Sequence, residues 1–152
     1  MADLIATFAK MSGIPFGKAL FSRAVSMKAP YFKTIRPHFE ELTAQRCVVS
    51  MKKRRAVHNH IGTVHAIAMC NLCEVAGGIL SEVATPRSMR WIPKGMTVRY
   101  LKKAETDLTG TAEWPGVKEG FKGDVIVPVR VRDKVGQVVM EADITMYLSP
   151  KK

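Results

Sequence analysis

Hydrophobic positions in the first part of the chain recur at the spacing of a helix. Leu4, Phe8 and Met11 form one such series, and a second series follows a break at Gly13-Ile14-Pro15. Because residues three and four apart share one face of a helix, the pattern predicts two short amphipathic helices. We assign residues 1–36 to an N-terminal helical arm that packs against the rest of the domain.

The segment over residues 63–84 has a different pattern. Its hydrophobic residues occupy nearly every side of a helix, and Glu74 is one of its few charged residues. A helix that is hydrophobic all round is buried. We therefore predict one central helix over this segment, wrapped by the rest of the fold.

The remaining sequence alternates with a period of two, which is typical of half-buried strands. Cys47, Val49 and Met51 form the first series, and the basic run after them ends it. Asp133-Lys134-Val135-Gly136 predicts a hairpin turn. Pro128 lacks an N–H group and predicts a bulge or an edge. After Pro93 the alternation predicts four more strands, near residues 96–100, 106–114, 125–131 and 138–148.

The order of these elements restricts the architecture. A helical arm, a strand and one buried helix precede four strands that can pair as an antiparallel meander. The economical arrangement is one five-stranded sheet curled around one helix, an α+β fold.

Length and composition fit this single domain. The chain has 152 residues, of which 47% are apolar, so it is long enough for one core and is not intrinsically disordered. No run of eighteen apolar residues is present, so we expect no transmembrane segment. Cys47, Cys70 and Cys73 are an odd and sparse set, and the N-terminal residues do not resemble a secretory signal. We expect a reducing, cytoplasmic environment, with Cys70 and Cys73 as small core residues.

The charge favours anionic partners without selecting one. Lys and Arg number 24 against 13 Asp and Glu, a formal net charge of +11. Nucleic acid, phosphorylated cofactors and acidic lipid are all compatible with this excess. Because no nucleic-acid recognition motif accompanies the charge, we do not expect nucleic-acid binding. The densest basic run, residues 52–55, is interpreted as a solvated strand end.

Polar residues of the types that take part in catalysis or metal binding lie around the start of the central helix. Asn59 lies among His58, His60 and His65, and Glu74 follows within the helix. A buried carboxylate is costly unless it is paired or lies at a cleft, and the ordinary interpretation of Glu74 is that it simply reaches water. The histidines have no carboxylate or cysteine partner at a convincing metal-ligand spacing, so no metal site is predicted.

This segment resembles the hotdog-fold thioesterases, in particular those that act on phenylacetyl-CoA and hydroxybenzoyl-CoA. Their pattern is an Asn or Gln, a short gap, Gly-x-x-His-Gly at the start of the central helix, and an acidic residue nine positions after that His. Asn59, Gly62, His65 and Glu74 occupy those positions. The resemblance implies a hotdog domain over residues 37–152.

The resemblance also implies roles for these residues. Glu74 is the catalytic carboxylate, which either attacks the thioester or activates a water. Asn59 orients that water or the substrate, and His65 lines the pocket. The backbone N–H of Ala66 polarises the thioester carbonyl at the helix N-terminus. Ala66 stands where the family usually has glycine. This difference affects the expected activity and not the expected fold.

The implied reaction is hydrolysis of an acyl-CoA or another acyl thioester, with coenzyme A as part of the substrate and no separate cofactor. Arg87, Arg90, Lys102 and Lys103 are predicted to bind its phosphates. The alternative is a non-catalytic hotdog module that binds acyl-CoA or lipid, which the alanine at position 66 makes credible.

Helix geometry predicts that two subunits build each active site. His65 and Glu74 are nine residues apart, so they lie on roughly opposite sides of a helix and about 13 Å apart along its axis. One chain therefore cannot bring both to one carbonyl. We expect a homodimer or a dimer of dimers, in which the loop of one subunit meets Glu74 of the other.

Overall fold

A single sheet and three α-helices make up the computed structural model, which describes residues 3–151. The helices are α1 (Leu4–Ser12), α2 (Gly17–Lys28) and α3 (Ala66–Ala84), with 3₁₀ turns at Pro30–Thr34 and Arg55–Val57. The strands are β1 (His38–Leu42), β2 (Arg46–Met51), β3 (Met89–Tyr100), β4 (Leu108–Glu113), β5 (Gly123–Arg132) and β6 (Val138–Pro150).

The sheet contains six strands, so the prediction of five was wrong. The missed strand is β1, which pairs with β2. Phe39 and Leu42 are both buried although they are three residues apart, because the register shifts between Phe39 and Glu41. Such a bulge breaks the period-two alternation by which a strand is recognised in a sequence.

The strand order is β1-β2-β4-β5-β6-β3, and all the pairs are antiparallel. The predicted meander holds for β4, β5 and β6, but β3 pairs with β6 and so lies at the edge of the sheet. The predicted hairpin turn at residues 133–136 is present, with Gly136 at φ 85°. The predicted edge is present at Pro128, because the pairing of β5 with β4 ends at Val129 and Pro128 is paired with β6 alone.

Helix α3 supplies the centre of the core. Its inner face, which includes Leu72, Cys73, Ala76 and Leu80, is buried against the sheet. At Gly77 a Cβ atom would lie 2.6 Å from Cδ1 of Ile144, so glycine allows the helix to approach β6. The predicted central helix is confirmed, although it begins at Ala66 and not at residue 63.

The helical arm packs against β1. The rings of Phe8, Phe21 and Phe39 stack edge to face, with centroid separations of 5.1 and 5.3 Å. The backbone N–H of Phe39 donates to Oγ of Ser22 at 2.9 Å. Aromatic packing and a buried hydrogen bond therefore hold α1 and α2 in place.

Helix α3 is long and apolar enough to cross a membrane by length and composition alone, with a mean hydropathy of 1.4. Half of its most apolar stretch is buried within the fold. The core helix of a wrapped sheet meets the same criterion, so this composition is weak evidence for a membrane span.

Candidate active site

The loop before α3 is shaped by Asn59. Its Oδ1 accepts hydrogen bonds from the backbone N–H groups of Ile61 and Thr63, both at 3.1 Å, and its Nδ2 donates to Oγ1 of Thr63 at 2.7 Å. Gly62 within this loop has φ 78°, a conformation that favours glycine. Asn59 thus builds the loop that leads into the helix, and its action on a water or substrate remains a prediction.

The N-terminus of α3 presents a free backbone amide. Nδ1 of His65 accepts from the N–H of Ile67 at 3.1 Å, which leaves Nε2 as the ring's donor when the ring is neutral. The N–H of Ala66 has no acceptor in the described chain. Ala66 is the first residue of the helix and has no positive φ, so its methyl group causes no backbone strain.

Glu74 lies on the face of α3 turned away from the sheet. Its side chain is exposed and makes no hydrogen bond or ion pair to residues 3–151. It borders a cavity of about 380 Å³, which we call the apolar pocket. The pocket walls are mostly apolar and include Leu4, Val25, Phe32, Ile79, Trp91 and Met146. An unpaired carboxylate beside an apolar cavity is an arrangement that suits an acyl substrate.

A second cavity, of about 200 Å³, lies at the other end of this face, next to the start of α3. We call it the polar pocket. Asn71, which is 5% exposed, donates from Nδ2 to Oγ1 of Thr34 at 3.0 Å, whereas its buried Oδ1 has no partner in the described chain. Nε2 of His58 is buried without a partner in the same pocket. These atoms can bind a ligand that carries N–H or O–H groups.

The structure places the predicted residues in separate pockets of one chain. His65 lines the polar pocket, and Glu74 lines the apolar pocket. Glu74 is eight positions after Ala66 in the helix, which corresponds to about 12 Å along the axis. One subunit therefore does not bring its own helix N-terminus to its own Glu74.

The four predicted phosphate-binding residues do not form one group. Arg87 and Arg90 line a third cavity, of about 460 Å³, beside the start of β3. Lys102 and Lys103 are exposed beyond the other end of this strand. Because β3 has twelve residues, the two pairs lie at opposite ends of a strand about 40 Å long.

A further basic pair was not predicted as a site. Arg54 donates to the backbone carbonyl of Thr34, which lines the polar pocket, and its Nε is buried without a partner in the described chain. Burial, together with the nearby Arg36 guanidinium, lowers the pKa of Arg54. Neither guanidinium group forms an ion pair with a carboxylate of residues 3–151, so the two neighbouring groups can bind an anion. Sequence proximity could not reveal the pair, because 17 positions separate its members.

The three cysteines differ in burial. Cys47 and Cys73 are buried, and burial raises the pKa of each thiol above its ordinary value. Sγ of Cys70 is 3.3 Å from the hydroxyl oxygen of Tyr100, a contact that raises the pKa of the tyrosine to about 12. Among residues 3–151, no cluster of three His, Cys, Asp or Glu side chains is arranged to hold a metal ion.

Comparisons with solved structures identify the fold. A protein whose crystal structure is described as "genomics APC5556" is 39% identical to this chain. The match covers 99% of this chain and 100% of that protein, with a TM-score of 0.86. A Pseudomonas aeruginosa protein of unknown function described as a "Probable Thioesterase" is 22% identical, with coverage of 91% and 97% and a TM-score of 0.75.

Thioesterases are recurrent among these structural neighbours. A mutant of a second Pseudomonas aeruginosa thioesterase is 18% identical, with coverage of 86% of this chain and 92% of its own and a TM-score of 0.74. The predicted hotdog fold is therefore confirmed, as is the resemblance to the thioesterases that share it.

Sequence comparison identifies a family whose description names no activity. Residues 17–148 match the family described as "Domain of unknown function (DUF4442)". The match begins at the first residue of α2, so the family includes most of the helical arm as well as the hotdog domain. No curated protein matches the chain.

Proposed function

The chain belongs to the DUF4442 family and has the hotdog fold of thioesterases, and on this premise we propose that it hydrolyses acyl-CoA thioesters. The observation that carries the proposal is Glu74, an exposed carboxylate that has no partner among residues 3–151 and lies on the central helix beside the apolar pocket. The acyl chain occupies this pocket, and coenzyme A is part of the substrate. The reaction requires no separate cofactor.

The oxyanion formed during the reaction is stabilised by the backbone N–H of Ala66. This amide is free and lies at the N-terminus of a helix of 19 residues, where the helix dipole favours negative charge. Asn59 keeps the preceding loop in the conformation that presents the amide. His65 caps the helix and lines the polar pocket beside it.

Glu74 acts by one of two routes, as a nucleophile or as a general base. As a nucleophile it attacks the thioester carbonyl, the C–S bond breaks, coenzyme A leaves as the thiolate, and water hydrolyses the acyl-glutamyl anhydride. As a general base it takes a proton from a water that attacks the same carbonyl, and the thiol leaves after protonation. Both routes need the carboxylate within reach of the carbonyl.

Two subunits supply the two halves of each site in this proposal. Strand β3 is paired on one side only and presents a twelve-residue edge in the described chain. Such an edge is a template for pairing with another chain. A two-fold antiparallel pairing of β3 with its copy places the beginning of one strand beside the end of the other, which brings Arg90 near the partner's Lys102. This pairing would unite the separated basic residues around one coenzyme A.

The polar pocket fits the pantetheine part of coenzyme A. That linear arm carries amide groups, and an amide N–H can donate to Oδ1 of Asn71, which lacks a partner in the described part of the chain. Arg36 and Arg54 lie nearby and can bind a phosphate. In acyl-CoA the phosphates and the pantetheine arm come before the thioester. A pocket beside the N-terminus of α3 therefore holds the arm while the thioester reaches the amide of Ala66.

Turnover of a panel of acyl-CoAs tests the proposal. The purified full chain is incubated with substrates of increasing aliphatic length and with an aromatic acyl-CoA, and the free thiol is measured. Thermal stability is recorded with and without coenzyme A. We expect thiol release. Stabilisation without thiol release would instead support the non-catalytic acyl-CoA-binding module, and the absence of both responses would contradict both functions.

Replacing Ala66 by glycine is expected to preserve or raise the turnover. The change removes the methyl group beside the free amide and restores the residue usual in the thioesterases that the chain resembles. Because Ala66 is helical, the free energy of unfolding is expected to fall by about 0.5–1 kcal/mol. Steady-state kinetics and thermal melting measure the two effects. A large loss of turnover with the fold intact would mean that the methyl group contacts the substrate.

Replacing Gly78 by leucine is expected to lower kcat/KM for long acyl chains by about tenfold or more, with little effect on acetyl-CoA. Gly78 borders the apolar pocket, and a Cβ atom there would meet only Trp91, at 3.8 Å. The larger side chain therefore fills the pocket without a backbone clash. The matched control is Gly78→Ala. Equal losses for short and long substrates would contradict an acyl chain in this pocket.

A further inference from the structure

Helix α2 has a second apolar face, which is turned to solvent. Phe21, Ser22, Val25 and Ser26 are buried against the rest of the protein. On the opposite side, the exposed fractions are 88% for Phe16, 57% for Leu20 and 74% for Met27. Residues 20, 24 and 27 have the spacing of one helical stripe, and Phe16 directly precedes the helix at the N-terminal end of this stripe. We call these four positions the outer face of α2.

Basic residues flank the outer face. At 100° per residue, Arg23 lies on one side of the stripe and Lys28 on the other, and both are exposed. The whole stretch of residues 4–39 has no acidic residue. Its six basic residues are Lys10, Lys18, Arg23, Lys28, Lys33 and Arg36.

The outer face is held in place by the fold. At Gly17 a Cβ atom would lie 1.7 Å from the carbonyl oxygen of Met11, so only glycine allows α2 to approach α1 so closely. Phe16, just before it, has φ 59°, an unfavourable conformation for a bulky residue, and its ring is exposed. The protein thus maintains a strained backbone at a position where the phenylalanine ring gains nothing from burial.

An apolar stripe between basic residues is the pattern of a helix that lies in the surface of an anionic bilayer. We propose that the outer face of α2 binds the protein to anionic lipid membranes, with Phe16, Leu20 and Met27 inserted among the lipids. The basic flanks contact the headgroups. A second copy of the chain is a poorer occupant, because two acid-free basic surfaces repel each other. The proposal does not depend on the thioesterase activity.

The position of the helix gives membrane binding a structural consequence. The inner side of the arm contributes Val25, Ala29 and Phe32 to the apolar pocket that contains Glu74. The same arm therefore has the pocket on one side and the proposed lipid surface on the other. Binding at a membrane would bring that pocket close to a source of acyl chains.

Co-sedimentation of the full chain with lipid vesicles tests the proposal. We expect binding to vesicles that contain phosphatidylglycerol, weaker binding to pure phosphatidylcholine, and a loss of binding as the salt concentration rises. The double variant Phe16→Asn with Leu20→Ser is expected to bind about tenfold more weakly. Asparagine tolerates the positive φ at position 16, so the variant retains the fold, which a melting curve checks.

Two controls distinguish membrane insertion from other causes. Val135→Ser removes an apolar side chain of similar exposure, 86%, in the hairpin turn after β5, and should leave vesicle binding unchanged. Arg23→Glu should weaken binding to the anionic vesicles in particular.

Three results would overturn the proposal. The first is the absence of vesicle binding by the unaltered chain, and the second is equal binding by the folded double variant. The third is a sedimentation experiment without lipid in which the double variant forms a smaller oligomer than the unaltered chain. The last result would assign the outer face to an interface between copies of the chain.

Discussion

Replacing Glu74 by glutamine is expected to lower acyl-CoA turnover by about 100-fold or more. Glutamine has nearly the same volume, but it can neither attack the thioester as a carboxylate nor accept a proton from water. The side chain is exposed and makes no hydrogen bond or ion pair in the described chain, so its replacement removes no contact that supports the fold. Thiol release under substrate saturation measures the loss, and a melting curve verifies the fold.

The matched control is Glu82→Gln. Glu82 lies on the same face of α3, eight residues further along, and accepts a hydrogen bond from Nε1 of Trp91 at 3.0 Å. Glutamine can still accept this bond, so the control removes one negative charge near the apolar pocket without removing the proposed catalytic group. We expect a change of less than about tenfold. Unaltered turnover in Glu74→Gln would exclude Glu74 from the mechanism.

Mixing two inactive variants is expected to restore about a quarter of the activity of the unaltered protein. Glu74→Gln removes the carboxylate, and Asn59→Ala removes three hydrogen bonds that shape the loop before Ala66. If each site takes Glu74 from one subunit and the loop from the other, a mixed dimer has one intact site and one doubly altered site. Random exchange makes half of the dimers mixed.

The experiment requires evidence that subunits exchange, which two differently tagged copies provide by co-purification. Glu74→Gln mixed with itself should remain inactive and is the control. An active monomer, or no recovery despite proven exchange, would contradict the shared site. Such a result would favour a substrate that runs along α3 of one chain, from the polar pocket past Glu74 to the apolar pocket.

Much of the secondary structure was predictable because periodicity reports the environment of each residue directly. The apolar pattern of α3, the alternation in β4 and β6, and the turn between β5 and β6 were predicted from the sequence and are present in the structure. Strand β1 was missed because its bulge disturbs that relation. The position of β3 beside β6 was missed because alternation identifies strands without identifying their neighbours.

The site was predictable in part. The spacing of Asn59, Gly62, His65 and Glu74 identified the resemblance to hotdog thioesterases, and the solved structures confirm the fold. No pattern in the sequence indicated the polar pocket, because its walls come from the arm, the loop before α3 and the helix itself. Asn71 has an ordinary position in the helix pattern, and only its unpartnered oxygen within a buried cavity distinguishes it.

The sequence by itself determined most of the helices and strands, the position of the buried central helix and how far Glu74 lies from the helix start. These properties are local, since the repeat of the backbone converts sequence spacing into position on one element. The tertiary structure alone decided that the arm covers part of α3, that Arg87 and Lys102 lie apart, and that Arg36 lies near Arg54. These arrangements depend on which elements pack together, and that choice follows from the burial of whole surfaces rather than from the spacing of residues along the chain.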